Sequence, residues 1–247
     1  MALPRFLAAH LDAVSGSATL SEEETHHLTS VLRLRFGDEV AVFDGNGREY
    51  RARIERVSRE ATQLRLLDAI APAPEPAVRL TLAQAVLKGQ RMDDVVRDAT
   101  MMGVAAIEPM VTAHTVARGA LRQGRGADRW RRVAIASAKQ CRRAVVPVIG
   151  AGTPFLDWIV QDSAVLRVVL VEPEASTSGR PLTVLRDEPT PGSATIAVGP
   201  EGGWSETEIE AATRAGWLPI TIGRRTLRAD AVPIVAIGVL QAFWGDL

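Results

Sequence analysis

Residues 71–77 read Ala-Pro-Ala-Pro-Glu-Pro-Ala, and three prolines in seven positions constrain the path of this chain more than any other segment. Each proline fixes φ and removes a backbone donor, so the stretch is kept out of helix interiors and central strands and runs extended. The pattern predicts two units, residues 1–72 and 78–247, joined by a linker over 73–77. The hydrophobic period changes across it.

Ahead of the linker the patterns are mostly strand-like, with one early helix. Ser21-Glu22-Glu23-Glu24 predicts a capping box opening a helix over residues 25–34, with acids in the first turn where the helix dipole favours them. Strands are expected over 39–43 and 48–57, flanking Asp44-Gly45-Asn46-Gly47, a tetrapeptide suited to the positive φ of a hairpin turn, and over 62–69. Strands of this kind in so short a unit suggest a small β-barrel. Beyond the linker, apolar runs at 78–87, 104–111, 166–171, 195–198 and 219–222 read as buried parallel strands. Helical patterns at 92–102, 128–142, 206–215 and 230–244 fall between or after them. That alternation is an α/β domain, whose ligands bind at the carboxyl ends of the strands.

Hydrophobic residues at 47% and charged residues at 23% exclude wholesale disorder. No apolar run reaches the roughly 20 residues a bilayer needs, and the first residues lack the pattern of a secretion leader. Cys141 is the only cysteine, so no disulfide framework exists. The expectation is a cytoplasmic protein without a membrane segment. Basic and acidic residues balance at 29 each, but residues 114–143 hold nine bases (Arg118, Arg122, Arg125, Arg129, Arg131, Arg132, Lys139, Arg142, Arg143) against Asp128 alone. This is either the footprint of a nucleic-acid contact or a solvated Arg-rich helix.

Chemistry concentrates at strand ends. In residues 195–205 an apolar strand runs into Gly199-Pro200-Glu201-Gly202-Gly203, and Ser205 with Glu208 forms a capping box for the helix that follows. Glycines there admit a ligand close to the backbone. Ile222-Gly223-Arg224-Arg225-Thr226-Leu227-Arg228-Ala229-Asp230 repeats the arrangement, and Val171-Glu172-Pro173-Glu174 ends a third strand on an acid. Together these loops can line one pocket, with glycine backbone on one side, a carboxylate for ribose hydroxyls and apolar side chains for a base. His26 and His27 lie about 100° apart on a helix and cannot chelate one ion, so no metal is expected. Cys141 has no nucleophile signature and no Gly-x-Ser-x-Gly elbow is present.

The pattern Pro4-Arg5-Phe6, His27-Leu28 with Val31-Leu32-Arg33, Gly37-Asp38, Phe43-Asp44-Gly45, Leu87 to Met92, Gly103-Val104, Gln140-Cys141 and Val146-Pro147 runs the length of the chain. Its most specific parts are Val198-Gly199-Pro200-Glu201-Gly202-Gly203 and Gly223-Arg224-Arg225-Thr226-Leu227-Arg228. With these residues the chain resembles the ribosomal RNA small-subunit methyltransferase E family of the SPOUT superfamily, which methylates N3 of a uridine in 16S rRNA. The resemblance implies an α/β fold, a trefoil-knotted parallel-sheet SPOUT domain preceded by a small PUA-like, RNA-binding β-barrel. It implies a homodimer, S-adenosylmethionine held in the knot, and 16S rRNA of the small ribosomal subunit as substrate.

Carried onto this chain, the cofactor loops correspond to Val171 and Glu172, to Val198, Gly199, Gly202 and Gly203, and to Ile222, Gly223, Thr226 and Leu227. Arg228 is expected to stabilise charge on the uracil carbonyls, Glu201 to accept a proton or anchor its loop, and Asp230 to stand where the family has a glutamate. Arg5, Arg33, Arg35, Arg142 and Arg143 are expected on phosphates. The apolar closing helix, with Ile234, Ile237, Leu240 and Phe243 at helical spacing, is the expected dimer surface. Departures from the family pattern are Asp98 and Met101 where relatives carry Lys and Glu, Lys139 for an acid, Arg142 for a glycine, and Ala229-Asp230-Ala231 for Thr-Glu-Thr. Two other function classes stay open: a non-catalytic RNA-binding or assembly factor, and the same chemistry on tRNA.

Overall fold

The computed structural model describes residues 3–117, 119, 124–173 and 179–247, so Arg118, Arg122 and Glu174 of the expectations above lie outside the described residues. The chain forms two compact units. One runs up to Glu75 and takes in Ala138–Val146; the other comprises Pro76–Ser137 and Pro147–Leu247.

In the first unit, β1 (Arg5–Asp12), β2 (Ser17–Leu20), α1 (Glu22–His26), β3 (Glu39–Phe43), β4 (Glu49–Val57) and β5 (Thr62–Ile70) build a closed barrel of order β1-β2-β5-β4-β3. A parallel pairing of β1 with β3, Arg5 opposite Ala41, closes it. Phe6, Leu20, Leu28, Val40, Val42, Ile54 and Leu64 fill the interior. The tetrapeptide at 44–47 turns as expected: the Asp44 carboxylate accepts from the N–H of Asn46 at 2.8 Å and of Arg48 at 3.0 Å. The early helix differs from expectation. It starts at Glu22, and from His27 to Val31 it is π-helical. Ser21 accepts from the Glu24 N–H at 3.3 Å, but Glu24 does not complete the box. Its carboxylate binds the Lys139 ammonium at 2.8 and 2.9 Å. Lys139 therefore has an acidic partner within its own unit.

The second unit contains β6 (Arg79–Ala85), α2 (Arg91–Met101), β7 (Ala106–Val111), α3 (Arg125–Cys141, whose last turn belongs to the first unit), β8 (Val148–Ile149), β9 (Thr153–Pro154) and α4 (Phe155–Trp158). There follow β10 (Leu166–Leu170), β11 (Arg180–Pro181), β12 (Ser193–Val198), α5 (Glu206–Arg214), β13 (Leu218–Thr221) and α6 (Val232–Trp244). The strands form an eight-stranded parallel sheet of order β11-β13-β10-β12-β6-β7-β8, with β9 also on β7. Runs such as β12 are buried on both faces, which is why they read as continuously apolar. One face packs on Phe155, Ile159, Ala212 and Trp217. After β12 the chain returns past β10 to lay down β13.

Segment 138–146 rejoins the first unit because Arg5 captures the end of α3. Its guanidinium donates to both Glu49 carboxylate oxygens at 2.8 and 2.9 Å and to the carbonyls of Ala138, Lys139 and Arg143 at 2.9, 2.9 and 3.0 Å. Carbonyls at a helix terminus lack intrahelical partners, and a cation there satisfies them. Arg143 is 4% exposed and donates to Glu75 at 3.0 Å. This corrects the expectation that Arg5 and Arg143 meet phosphates, because both guanidinium groups are buried against carboxylates. It also carries Glu75, expected in the linker, into the barrel unit.

Arg142, between them, is exposed with φ 67, one of two non-glycine residues in the left-handed region among the described residues. That is the conformation a helix-ending glycine adopts, so an arginine pays a steric cost here. Arg142→Gly is expected to stabilise the protein by about 1 kcal/mol. That is worth roughly 2–4 °C in a thermal melt. A lowered midpoint would show that the arginine makes contacts outweighing the strain.

Candidate functional site

Register brings the site together. Leu170, the last residue of β10, pairs with Val198 of β12 on one side and with Ile220 of β13 on the other, so the loops after all three strands leave the sheet at one level. They enclose a cavity of about 430 Å³. Of the residues expected at the cofactor, Val171, Glu172, Val198, Gly199, Gly203, Ile222, Thr226 and Leu227 line it, as do all three expected catalytic residues, Glu201, Arg228 and Asp230. Gly202 and Gly223 do not. A Cβ on Gly202 would meet the His114 Cβ at 3.0 Å, so this glycine makes room for a neighbour; Gly223 faces open space and serves its loop through φ +69.

Gly199 also serves a packing need. A Cβ there would lie 3.1–3.4 Å from the Trp204 indole, whose Nε1 donates to the Leu170 carbonyl at 2.8 Å and whose ring packs tilted by 40° against Phe155, centroids 4.4 Å apart. Trp204 thus ties the glycine loop to β10 while lining the cavity. The box closing the loop is complete: the Ser205 hydroxyl accepts from the Glu208 N–H at 3.3 Å and Glu208 accepts from the Ser205 N–H at 2.9 Å.

A fourth loop enters from β6. The Lys88 N–H and the Arg91 guanidinium each donate to Glu201 Oε1 at 3.1 Å, and Arg91 lines the cavity. Burial works to raise the Glu201 pKa, but its own N–H, that of Lys88 and the Arg91 guanidinium outweigh it and hold the carboxylate below its usual range. A carboxylate so well satisfied is a poor proton acceptor. Glu201 anchors the loop after β6 to the glycine loop.

On the opposite wall the Arg228 guanidinium donates to both Asp230 oxygens at 3.1 and 2.9 Å, although its side chain is 70% exposed. Glu172, also exposed, has no hydrogen-bond or ion-pair partner among the described residues. Sequence reasoning missed Arg91, Trp204 and Arg225 in this lining. A signal for the first was present: Lys88-Gly89-Gln90-Arg91 follows an apolar strand and opens a helix, the pattern that marked the other loops.

Outside the cavity, Arg33, Arg35 and Arg142 are exposed, as are Arg125, Arg129, Arg131 and Arg132 on α3. Asp98 pairs with its neighbour Arg97 at 2.7 Å, and Met101 is 39% exposed. No cluster among the described residues could hold a metal ion, and no described helix is long and apolar enough to cross a membrane.

Comparison with known proteins gives a consistent picture. A family model described as an RNA methyltransferase domain matches residues 74–241, and one described as an RNA methyltransferase PUA domain matches residues 20–67. The chain is 33% identical to the ribosomal RNA small subunit methyltransferase E of Mycobacterium tuberculosis, over 92% of this chain and 88% of that one. It is 29% identical to the protein of that name from Synechocystis, over 96% and 77%. The crystal structure of a ribosomal RNA small subunit methyltransferase E from Neisseria gonorrhoeae, bound to S-adenosyl methionine, is 28% identical and superposes with a TM-score of 0.85 over 98% of each chain.

Proposed function

We propose, on the premise that this chain belongs to the RNA methyltransferase family, that it methylates N3 of one uridine in the 16S rRNA of the small ribosomal subunit. The chain is an S-adenosylmethionine-dependent ribosomal RNA methyltransferase with a PUA-like barrel and a SPOUT-type α/β domain. The observation that carries the reading is the level register of β10, β12 and β13, which aims three loops and their glycines at one cavity.

The cavity fits the cofactor. Its volume is in the range of small-molecule sites, Leu170, Val171, Val198, Ile222 and Leu227 offer an apolar slot for adenine, and unpartnered Glu172 offers acceptors for ribose hydroxyls. When bound, S-adenosylmethionine supplies an electrophilic methyl group. Uracil N3 carries a proton that must pass to solvent water as N3 takes the methyl group, and the negative charge left on the ring meanwhile spreads onto the two carbonyl oxygens. Arg228 supplies the cation for that charge, and Asp230 aims it through two hydrogen bonds. An ion pair this exposed is worth about 0–1 kcal/mol, so the guanidinium exchanges its partner for the substrate at little cost. Glu201 is a positioning residue, acting through Arg91 and the loop after β6. Arg33, Arg35 and Arg142 remain the phosphate contacts.

The working form is a homodimer. In the expected stripe, Ile237 and Leu240 are fully buried in their own unit, whereas Ile234 and the adjacent Val235 are each 37% exposed and offer the apolar surface for a second copy. Light scattering is expected to give twice the 26.5 kDa chain mass, and a stable monomer at micromolar concentration would refute the dimer.

Small subunits from a strain lacking this protein, incubated with it and S-adenosylmethionine, are expected to gain 3-methyluridine at one 16S rRNA position, read by nucleoside mass spectrometry. Transfer to tRNA alone would move the substrate. Cofactor binding without transfer to either RNA would make the chain a non-catalytic assembly factor.

A further inference from the structure

The barrel carries a feature that methyl transfer does not use. Phe36 is 78% exposed, an unusual setting for a large apolar ring. The turn that carries it is nevertheless held firmly. The Asp38 carboxylate accepts from the Arg35 N–H at 2.8 Å, the Asp38 N–H donates to the Arg35 carbonyl at 3.1 Å, and Gly37 takes φ +89. The turn is fastened to β4 by Gly37 N–H to the Ile54 carbonyl at 2.9 Å and Ile54 N–H to the Asp38 carbonyl at 3.0 Å. Just upstream, Arg33 stands at φ 58, a conformation that side-chain-bearing residues rarely adopt and that clusters at functional sites. Val31 and Leu32, 63% and 40% exposed, extend the apolar surface.

Phe36 borders a groove to which Arg53, Arg56, Arg65 and Leu67 contribute, with Glu55 the only acid in the lining. Arg53 is engaged by Glu39 at 2.9 Å and Arg65 by Glu55 at 3.4 Å. Arg33, Arg35 and Arg56 have no ion-pair partner among the described residues. An exposed aromatic ring on a fixed turn, with Arg33 and Arg35 close in sequence and a groove lined by Arg53, Arg56 and Arg65 beside it, suits one class of ligand: every nucleobase has a π face to stack, and phosphate oxygens accept from guanidinium groups. Duplex RNA offers no unstacked base, whereas loops and single strands do.

We infer that the Phe36 turn and its groove form a docking site for an unpaired RNA segment, one base stacked on Phe36 and the flanking phosphates on Arg33, Arg35 and Arg56. The inference rests on the RNA-substrate reading above and adds a subsite remote in sequence from the cavity loops. It is tested with the full chain, a single-stranded oligouridylate and 16S rRNA as probes. Phe36→Ala is expected to weaken oligouridylate binding roughly tenfold while cofactor affinity and melting temperature stay unchanged. Phe36→Trp is expected to restore binding, with its added indole emission quenched on titration. Arg56→Ala should flatten the salt dependence by about one counterion. Equal affinity of Phe36→Ala and the unaltered chain, or binding of 16S rRNA without oligouridylate, overturns the platform alone. A change in assembly mass in Phe36→Ala at unchanged RNA affinity assigns the patch to a protein contact and also overturns it. Failure of the unaltered chain to bind either RNA overturns the substrate reading itself.

Discussion

Gly199→Val is expected to weaken S-adenosylmethionine binding by roughly 5- to 150-fold, the equivalent of the 1–3 kcal/mol that overpacking typically costs. The physical reason is more specific than the general permissiveness of glycine. The first atom of any side chain at 199 would meet the Trp204 indole at 3.1–3.4 Å, and that ring cannot retreat without breaking its 2.8 Å bond to the Leu170 carbonyl or its packing on Phe155. Both Trp204 and Leu170 line the cavity, so the strain is delivered to the binding surface. The sheet beneath is set by backbone pairing and should persist. Calorimetry with the cofactor, beside circular dichroism, reads the two effects separately. Wild-type affinity in the valine variant would show that the cavity is not the cofactor site; a variant that unfolds directs the test to Gly199→Ala.

How much of this was readable in advance depended on whether the cause was local. The loops at 198–205 and 222–230 were legible because an apolar strand running into glycine signals their roles within a few residues, and in the first the capping Ser205–Glu208 box formed as expected. The level register of the strand ends was not, since it depends on the chain passing back beyond β10 after β12, which no local period encodes. Arg5 shows the same limit. As a sequence letter it is one more cation at the start of a barrel expected to bind RNA; its carboxylate partner lies 44 residues away and its carbonyl partners 133 to 138 away. Glu24 failed as half of a capping box for the same reason, because Lys139, distant in sequence, outcompeted a neutral backbone donor. Local rules placed the elements and nominated the site, and long-range charge pairing decided which arginines remain available to RNA.

Arg228 is where that distinction has the largest consequence. Its guanidinium lines the cavity and, among the described residues, is bound only to the neighbouring Asp230 carboxylate, at 3.1 and 2.9 Å, with 70% of the side chain exposed. A group that stabilises charge present only in the transition state contributes little to ground-state binding. Arg228→Ala is therefore expected to lower kcat by about 10²–10³-fold, the loss typical for removing one preorganised donor from a developing anion, while RNA and cofactor affinities change by less than about threefold. Asp230→Asn should cost less, because it keeps the guanidinium and loosens only its aim, and Arg228→Lys should recover part of the rate without the bidentate geometry. Single-turnover rates measured beside equilibrium binding separate these effects. Equal losses of RNA affinity and turnover in Arg228→Ala would make Arg228 one more phosphate contact. The cation that answers the uracil carbonyls would then have to be sought in Arg91 or Arg225, the other guanidinium groups lining the cavity.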